Sequence, residues 1–190
     1  MSIPIYSSDP DKFISDLTDW YDTSGQNKYD EIVTISDHML QAATIAHDEG
    51  ANKTDVLSCL FHDIGHMIID DDENYIKEDR NKFHETVAAE YLSKIFIEDV
   101  IGPIKNHVNA KRWLCSTDKT YYEFLSPASK QSFEEQGGYM TVKEMESFSS
   151  SKYFHHAVKV REFDDRAKIK DKTTNSIQFY RNHIIDCLLP

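Results

Sequence analysis

The hydrophobic positions of this chain recur at helical spacing, and strand-like alternation is scarce. The segment 37–49 places Met39, Leu40, Ala42, Ala43, Ile45 and Ala46 on one broad face and stops at Gly50, as an amphipathic helix with a glycine terminator does. The next periodic run carries Val56, Leu57, Leu60 and Ile64; Thr54 is in position to cap it and Gly65 to end it. Between Gly65 and Phe83 the polar run Asp70-Asp71-Asp72-Glu73-Asn74 has no apolar period and reads as a long loop or lid. Helical patterning resumes over 85–96 and 100–114. Ser126-Pro127 is a cap followed by proline at the first helical position, and that helix runs to Gln136 before Gly137-Gly138. Thr141 to Glu144 spells a capping box. Runs over 153–166 and 176–188 complete the pattern. The reading is one all-α domain over 1–190, a helical bundle of about eight helices, with its core over about 28–166 and a C-terminal helix at about 176–188.

Composition narrows the function classes. Of 190 residues, 33 are Asp or Glu against 21 Lys or Arg, a net charge of −12. That sign disfavours nucleic acid, whose phosphates need a basic face, and an anionic membrane surface. A small anionic substrate feels its local site more than the bulk charge and stays open. No window approaches the roughly 20 apolar residues of a membrane span. The three cysteines, Cys59, Cys115 and Cys187, are odd in number and widely spaced. They fit a reduced, cytoplasmic chain better than a disulfide framework. The expected partner is a small molecule, and the expected state is a monomer or weak homo-oligomer.

The candidate chemistry lies in the histidines. His62 and Asp63 are adjacent inside the apolar run Leu60 to His66; His38 lies 24 residues upstream, His84 is 22 residues after His62, and His107 a further 23 on. A single helical histidine usually packs in a core or meets solvent, and a bare His-Asp pair carries little information. Here each histidine falls on a different predicted helix, as metal sites in bundle cores require. Ionisable groups in such runs are rare unless paired or metal-bound. Adjacent helical side chains point about 100° apart, so His62 and Asp63 both serve one site only at a helix end. There the carboxylate's two oxygens can bridge two metals.

With Asp164 added, the pattern His38…His62-Asp63…His84…His107…Asp164 resembles the HD-domain superfamily in its two-metal form. Most members of that superfamily are phosphohydrolases. More of the chain is similar to the HD-domain mixed-valent di-iron oxygenases acting on 1-hydroxyphosphonates and, more distantly, to myo-inositol oxygenase. The matching segments are Asp37 to Ala42, His62 to His66, His107 to Arg112, Leu125 to Ser129, Gln136 to Gly138, and Val160 to Asp164.

The resemblance implies one metal on His38, His62, Asp63 and Asp164. It implies a second on Asp63, His84 and His107, with Asp63 bridging. It implies Fe(II)/Fe(III) as the cofactor pair and O2 as co-substrate. Lys111 and Arg161 would hold the phosphonate, Ser129 and Gln136 would contact the substrate, and His66 would stand beside it. Glu31, seven residues before His38, and Tyr29, nine before and one short of the family spacing, match a pair that gates the open iron position. The implied reaction is O2-dependent cleavage of the C–P bond of a 1-hydroxyphosphonate to phosphate and a carboxylic acid. Candidate substrates are 2-amino-1-hydroxyethylphosphonate, its N-trimethyl analogue and hydroxymethylphosphonate.

The alternatives are a metal-dependent phosphohydrolase on a nucleotide or phosphomonoester, and a non-catalytic HD fold used for sensing. Cyclic-dinucleotide hydrolysis fits less well, because the matching motif there ends in Lys where this chain has His66. Lys111 and Arg161 would ordinarily be solvated helix residues, but Lys111 is one turn from His107 and Arg161 is three residues before Asp164. Acidic runs are usually solvated too. Because Asp70, Asp71, Asp72 and Glu73 lie between ligand helices, they are expected to cover the site and recognise a cationic amine on the substrate.

Overall fold

The computed structural model describes residues 3–30, 32–75 and 80–190. Among the described residues there are eleven α-helices and no sheet. They are α1 (Pro10–Thr23), α2 (Ile35–Asp48), α3 (Lys53–Phe61), α4 (Ile64–Asp71), α5 (Arg80–Leu92), α6 (Glu98–Thr117), α7 (Lys119–Phe124), α8 (Pro127–Glu135), α9 (Val142–Ser149), α10 (Phe154–Arg166) and α11 (Arg181–Cys187). Helices α2, α3, α6 and α10 pack on one another around the core, and α4 pairs with α5 on its flank. No helix among the described residues is long and apolar enough to cross a membrane.

Three of these helices are absent from the sequence reading. Helix α1 starts at the N-cap Asp9, which accepts from the Lys12 amide, with Pro10 in its first turn. It buries Phe13, Ile14, Leu17, Trp20 and Tyr21 against the core. Helix α7 is a short turn capped by Asp118. Helix α4 replaces the start of the expected loop. The chain does break at His62 and Asp63, but it turns and continues as a second helix to Asp71.

Gly65 therefore does not end a helix. It sits inside α4 because a Cβ there would lie 1.9 Å from the His84 carbonyl oxygen. The glycine lets α4 and α5 touch backbone to backbone. Gly102 in α6 makes room for a side chain instead: a Cβ there would strike the Tyr153 ring at 2.2 Å, ahead of α10.

Caps differ in detail. Asn52, not Thr54, caps α3: its Oδ1 accepts from the Asp55 amide at 2.8 Å, while Thr54 donates its hydroxyl to the same oxygen. Helix α2 begins two residues earlier than expected, behind a capping box of Thr34 and Asp37. The box at Thr141 and Glu144, the cap at Ser126, and left-handed Gly137 and Gly138 are all present. The C-terminal run is a 3₁₀ turn (Ile177–Tyr180) followed by α11 rather than one helix.

The expected loop between Gly65 and Phe83 begins as a helix, and its residues 76–79 lie outside the described residues. Asp70 and Asp71 belong to α4. Asp71 accepts from the Trp20 indole N–H at 2.7 Å and the Ser24 hydroxyl at 2.6 Å, and Asp70 accepts from Asn27 at 3.1 Å. Asp72 turns the chain by accepting from the Asn74 amide. Asp70 and Asp71 thereby fasten α4 to α1 and the turn after it. These two of the four acids expected to recognise an amine thus have structural partners.

Candidate functional site

Four helices and the α3–α4 break converge on one buried cluster. His38 comes from α2, His62 and Asp63 from the break, His84 from α5, His107 from α6 and Asp164 from α10. All six are buried. Asp63 holds the N-cap position of α4 but makes no capping hydrogen bond, so its carboxylate is free for the cluster.

The contacts fall into two nests. In the first, His38 Nε2 and His62 Nε2 are 3.1 Å apart. Asp63 Oδ2 lies 3.5 and 3.3 Å from them, and Asp164 Oδ1 lies 3.1 Å from His38 Nε2. In the second, His84 Nε2 and His107 Nε2 are also 3.1 Å apart, and Asp63 Oδ1 lies 3.2 and 3.5 Å from them. The two oxygens of Asp63 therefore face different histidine pairs.

The protonation of these rings shows what belongs between them. His38 Nδ1 donates to the Ala167 carbonyl at 2.9 Å, His62 Nδ1 to Cys59 at 2.9 Å, and His107 Nδ1 to Ile104 at 2.7 Å. A carbonyl only accepts, so each Nδ1 carries the hydrogen and each neutral ring turns a lone pair at Nε2 inward. Lone pairs 3.1 Å apart repel unless a cation separates them. Without metal, protons play that part. Burial works against a charged His38, but Asp164 and Asp63 outweigh it and hold the ring up to about 9. In the second nest burial also opposes charge; Asp63 raises His84, while His107 is lowered. Asp63 and Asp164 stay ionised despite burial, held well below the usual carboxylate range by the surrounding cations.

Metal ions fit the same gaps. Bonds of about 2.1 Å at right angles separate adjacent donor atoms by about 3.0 Å, close to both imidazole spacings. Imidazole with carboxylate donors suits iron and its first-row neighbours. The sets His38, His62, Asp63 and Asp63, His84, His107 each bring their donor atoms within 4.8 Å of one another.

A cavity of about 320 Å3 opens onto this cluster, lined by Tyr29, His66, Lys111, Ser129, Gln136 and Arg161 along with Asp63, His84, His107 and Asp164. The described 70–73 acids do not line it. Lys111 is buried and donates to the Ser132 hydroxyl at 2.8 Å. Burial and the nearby Arg161 charge push its ammonium down to about 7. Gln136 donates from Nε2 to the Asn81 carbonyl at 2.7 Å, which leaves its buried Oε1 without a partner. His66 stacks on His84 with ring centroids 4.2 Å apart, and Tyr29 stacks on His38 at 4.0 Å. Tyr29 thus stands at the cavity despite its displaced spacing. Glu31 lies outside the described residues.

Arg161 departs from a free phosphonate clamp. Its Nη1 donates to Asp164 Oδ2 at 2.6 Å, and its Nη2 pairs with Asp165. Its Nε meets the Tyr121 hydroxyl at 3.0 Å and Asp165 Oδ2 at 3.2 Å. It holds Asp164 so that Oδ1 turns to His38, and it presents only its remaining N–H groups to the cavity. Sequence reasoning missed Asp165 and Tyr121. It also missed Ser132, Asn81 and Lys28 among the lining residues. Ser132 was signalled by its position one turn after Ser129 on α8; nothing in the local sequence marks the others.

The family model described as HD domain matches residues 35–171. The chain is 40% identical over 185 residues to hydroxymethylphosphonate dioxygenase of Gimesia maris, covering 96% of this chain and 91% of that protein. It is 34% identical over 155 residues to the glycine-betaine-forming [1-hydroxy-2-(trimethylamino)ethyl]phosphonate dioxygenase of Leisingera caerulea, covering 81% and 79%. An uncharacterised protein of Acanthamoeba polyphaga mimivirus is 33% identical over 190 residues, covering 97% and 87%. The fold and the cluster define an HD-domain protein of the two-nest kind. Within that class the chain belongs to the HD-domain 1-hydroxyphosphonate oxygenase family.

Proposed function

We propose that this protein cleaves the C–P bond of a 1-hydroxyphosphonate with O2, releasing phosphate and a carboxylic acid, at a di-iron centre in the Fe(II)/Fe(III) state. The carrying observation is the shared carboxylate of Asp63, each oxygen facing one histidine pair, beside a cavity that holds Lys111 and Arg161. His38, His62, Asp63 and Asp164 would hold one iron and Asp63, His84 and His107 the other. When bound, the irons supply Lewis acidity toward the hydroxyphosphonate and the redox couple for O2. The substrate gives the four electrons that O2 requires, so the reaction balances without an external reductant.

The chain's own residues bind and orient. Lys111 and the remaining N–H groups of Arg161 supply positive charge for the phosphonate oxygens. Ser129 adds a hydroxyl donor, and the open Oε1 of Gln136 accepts from the substrate's hydroxyl or amine. His66 and Tyr29 pack on the rings of His84 and His38 and wall off the metal nests. Three unpaired buried cysteines suit a reducing compartment, which supports the cytoplasm as the working location. We take the working unit to be a monomer or weak homo-oligomer.

Iron-loaded protein tests the reading. A mixed-valent EPR signal that changes on adding hydroxymethylphosphonate, with O2-dependent phosphate release, is the expected result. Phosphate release from a nucleotide without O2 would overturn it in favour of a phosphohydrolase.

The Lys111 ammonium gives a pH signature. Its charge is present below about 7 and lost as pH rises through that value. The kcat/KM for the phosphonate is therefore expected to fall above about 7. In Lys111→Arg, which stays charged throughout, that alkaline limb should disappear. A pH profile of both forms checks it.

A further inference from the structure

Lys168, which follows α10, is not among the cavity-lining groups, yet it touches three residues that are. Its Nζ lies 3.4 Å from Ser129 Oγ, 3.4 Å from Asp164 Oδ1 and 5.6 Å from the centre of the Tyr29 ring, over which it stands. The side chain is only 12% exposed. Burying a flexible ammonium this far is costly unless its hydrogens are used, and here the partners are a hydroxyl, a carboxylate and a ring face.

The contact with Ser129 fixes the direction of a hydrogen bond. Ser126 Oγ accepts from the Ser129 amide as the cap of α8. Its own hydrogen then goes to Ser129 Oγ at 3.1 Å. Lys168 donates to the same oxygen. A hydroxyl has two acceptor positions and one donor. With both acceptor positions taken, the Ser129 hydrogen points away from Ser126 and Lys168, and Ser129 lines the cavity. Such a hydroxyl offers the cavity only a donor, which a substrate oxyanion can accept.

At Asp164 the same ammonium acts in the opposite sense. It competes for the oxygen that faces His38, while Arg161 occupies the other. Asp63, by contrast, meets imidazoles and no lysine or arginine in its ion-pair contacts among the described residues. Lys168 therefore reduces the negative charge that the first nest presents to a metal ion.

We propose that Lys168 is a positioning residue that turns Ser129 into a fixed donor for the substrate oxyanion and moderates the hold of Asp164 on its metal. This rests on the phosphonate reading above. The two effects have opposite signs, which a merely structural role would not produce.

Two titrations of the full chain test this. Anaerobic titration of iron-loaded protein with hydroxymethylphosphonate reads substrate affinity, and titration of metal-stripped protein with Mn2+ reads metal affinity. In Lys168→Met, phosphonate affinity should fall about tenfold, the size of one hydrogen bond to a charged group. Mn2+ affinity should rise about fivefold, because a nearby repelling charge is gone. Ser129→Ala should lower phosphonate affinity alone, and adding Lys168→Met to it should lower it no further. Lys168→Arg should restore both affinities toward the wild type. A fall in both affinities in Lys168→Met, or additive losses in the double variant, overturns the proposal. Wild-type protein that binds no hydroxymethylphosphonate overturns the functional reading and takes this one with it.

Discussion

Asp63→Asn is expected to empty both metal nests at once and to lower phosphonate turnover by on the order of 10³-fold or more, since each lost metal contact withdraws several kcal/mol of charge stabilisation. The substitution keeps size and shape and replaces one oxygen with an NH2 group. Whichever way the amide turns, that donor faces a histidine pair whose inward lone pairs await a cation. The other nest keeps a carbonyl oxygen without charge. Asp63 makes no capping hydrogen bond to α4, so helix content should hold. Metal analysis and far-UV circular dichroism of the purified variant check the two halves of the expectation. Asp164→Asn is the control. It touches only the first nest, so the second should still bind about one ion per chain. An Asp63→Asn protein that keeps two tightly bound ions would sink the shared-carboxylate reading.

Gly65→Ala is expected to be the most damaging small substitution in the core. The new methyl would stand 1.9 Å from the His84 carbonyl oxygen and 2.7 Å from its carbon, both backbone atoms that cannot rotate aside. Helices α4 and α5 must separate there, at the residue that supplies an imidazole to the second nest. Overpacking of this kind costs about 3 kcal/mol, or roughly 6–12 °C of Tm for a chain this long. Gly50→Ala separates close approach from backbone strain. Its φ of +74° is unfavourable to alanine, but nothing lies within 4 Å of the added carbon. That variant should lose only about 1 kcal/mol and keep its full metal content. Thermal unfolding and metal stoichiometry of the pair distinguish the effects.

These residues also mark how far the sequence could be read. His38, His62, Asp63, His84 and His107 stood out in the sequence because each is an ionisable group placed in a helical run; Asp164 carried no such signal and entered only through the resemblance. Gly65 was misread because glycine carries two signals, chain termination and close approach, and only the tertiary position of His84 tells them apart. Helix α1 was missed although Asp9 and Pro10 spell a start, because its stripe of Phe13, Leu17 and Trp20 is interleaved with charged residues. Asp71 looked like solvated charge because its partners, Trp20 and Ser24, are about fifty residues away. Lys168 was invisible for a related reason. It follows a helix end, where lysine is common, and its significance comes from residues on other elements.

The hydrogen bond from His38 to the Ala167 carbonyl joins positions 129 residues apart, and this has a consequence for how the chain matures. The second nest needs nothing beyond His107, so its three donors can gather while the polypeptide is still being extended. The first nest waits for Asp164, and His38 has no fixed tautomer until Ala167 arrives to accept its proton. Because contacts this distant in sequence form late, the two metal positions should fill in order during biosynthesis, with the Asp63–His84–His107 position first.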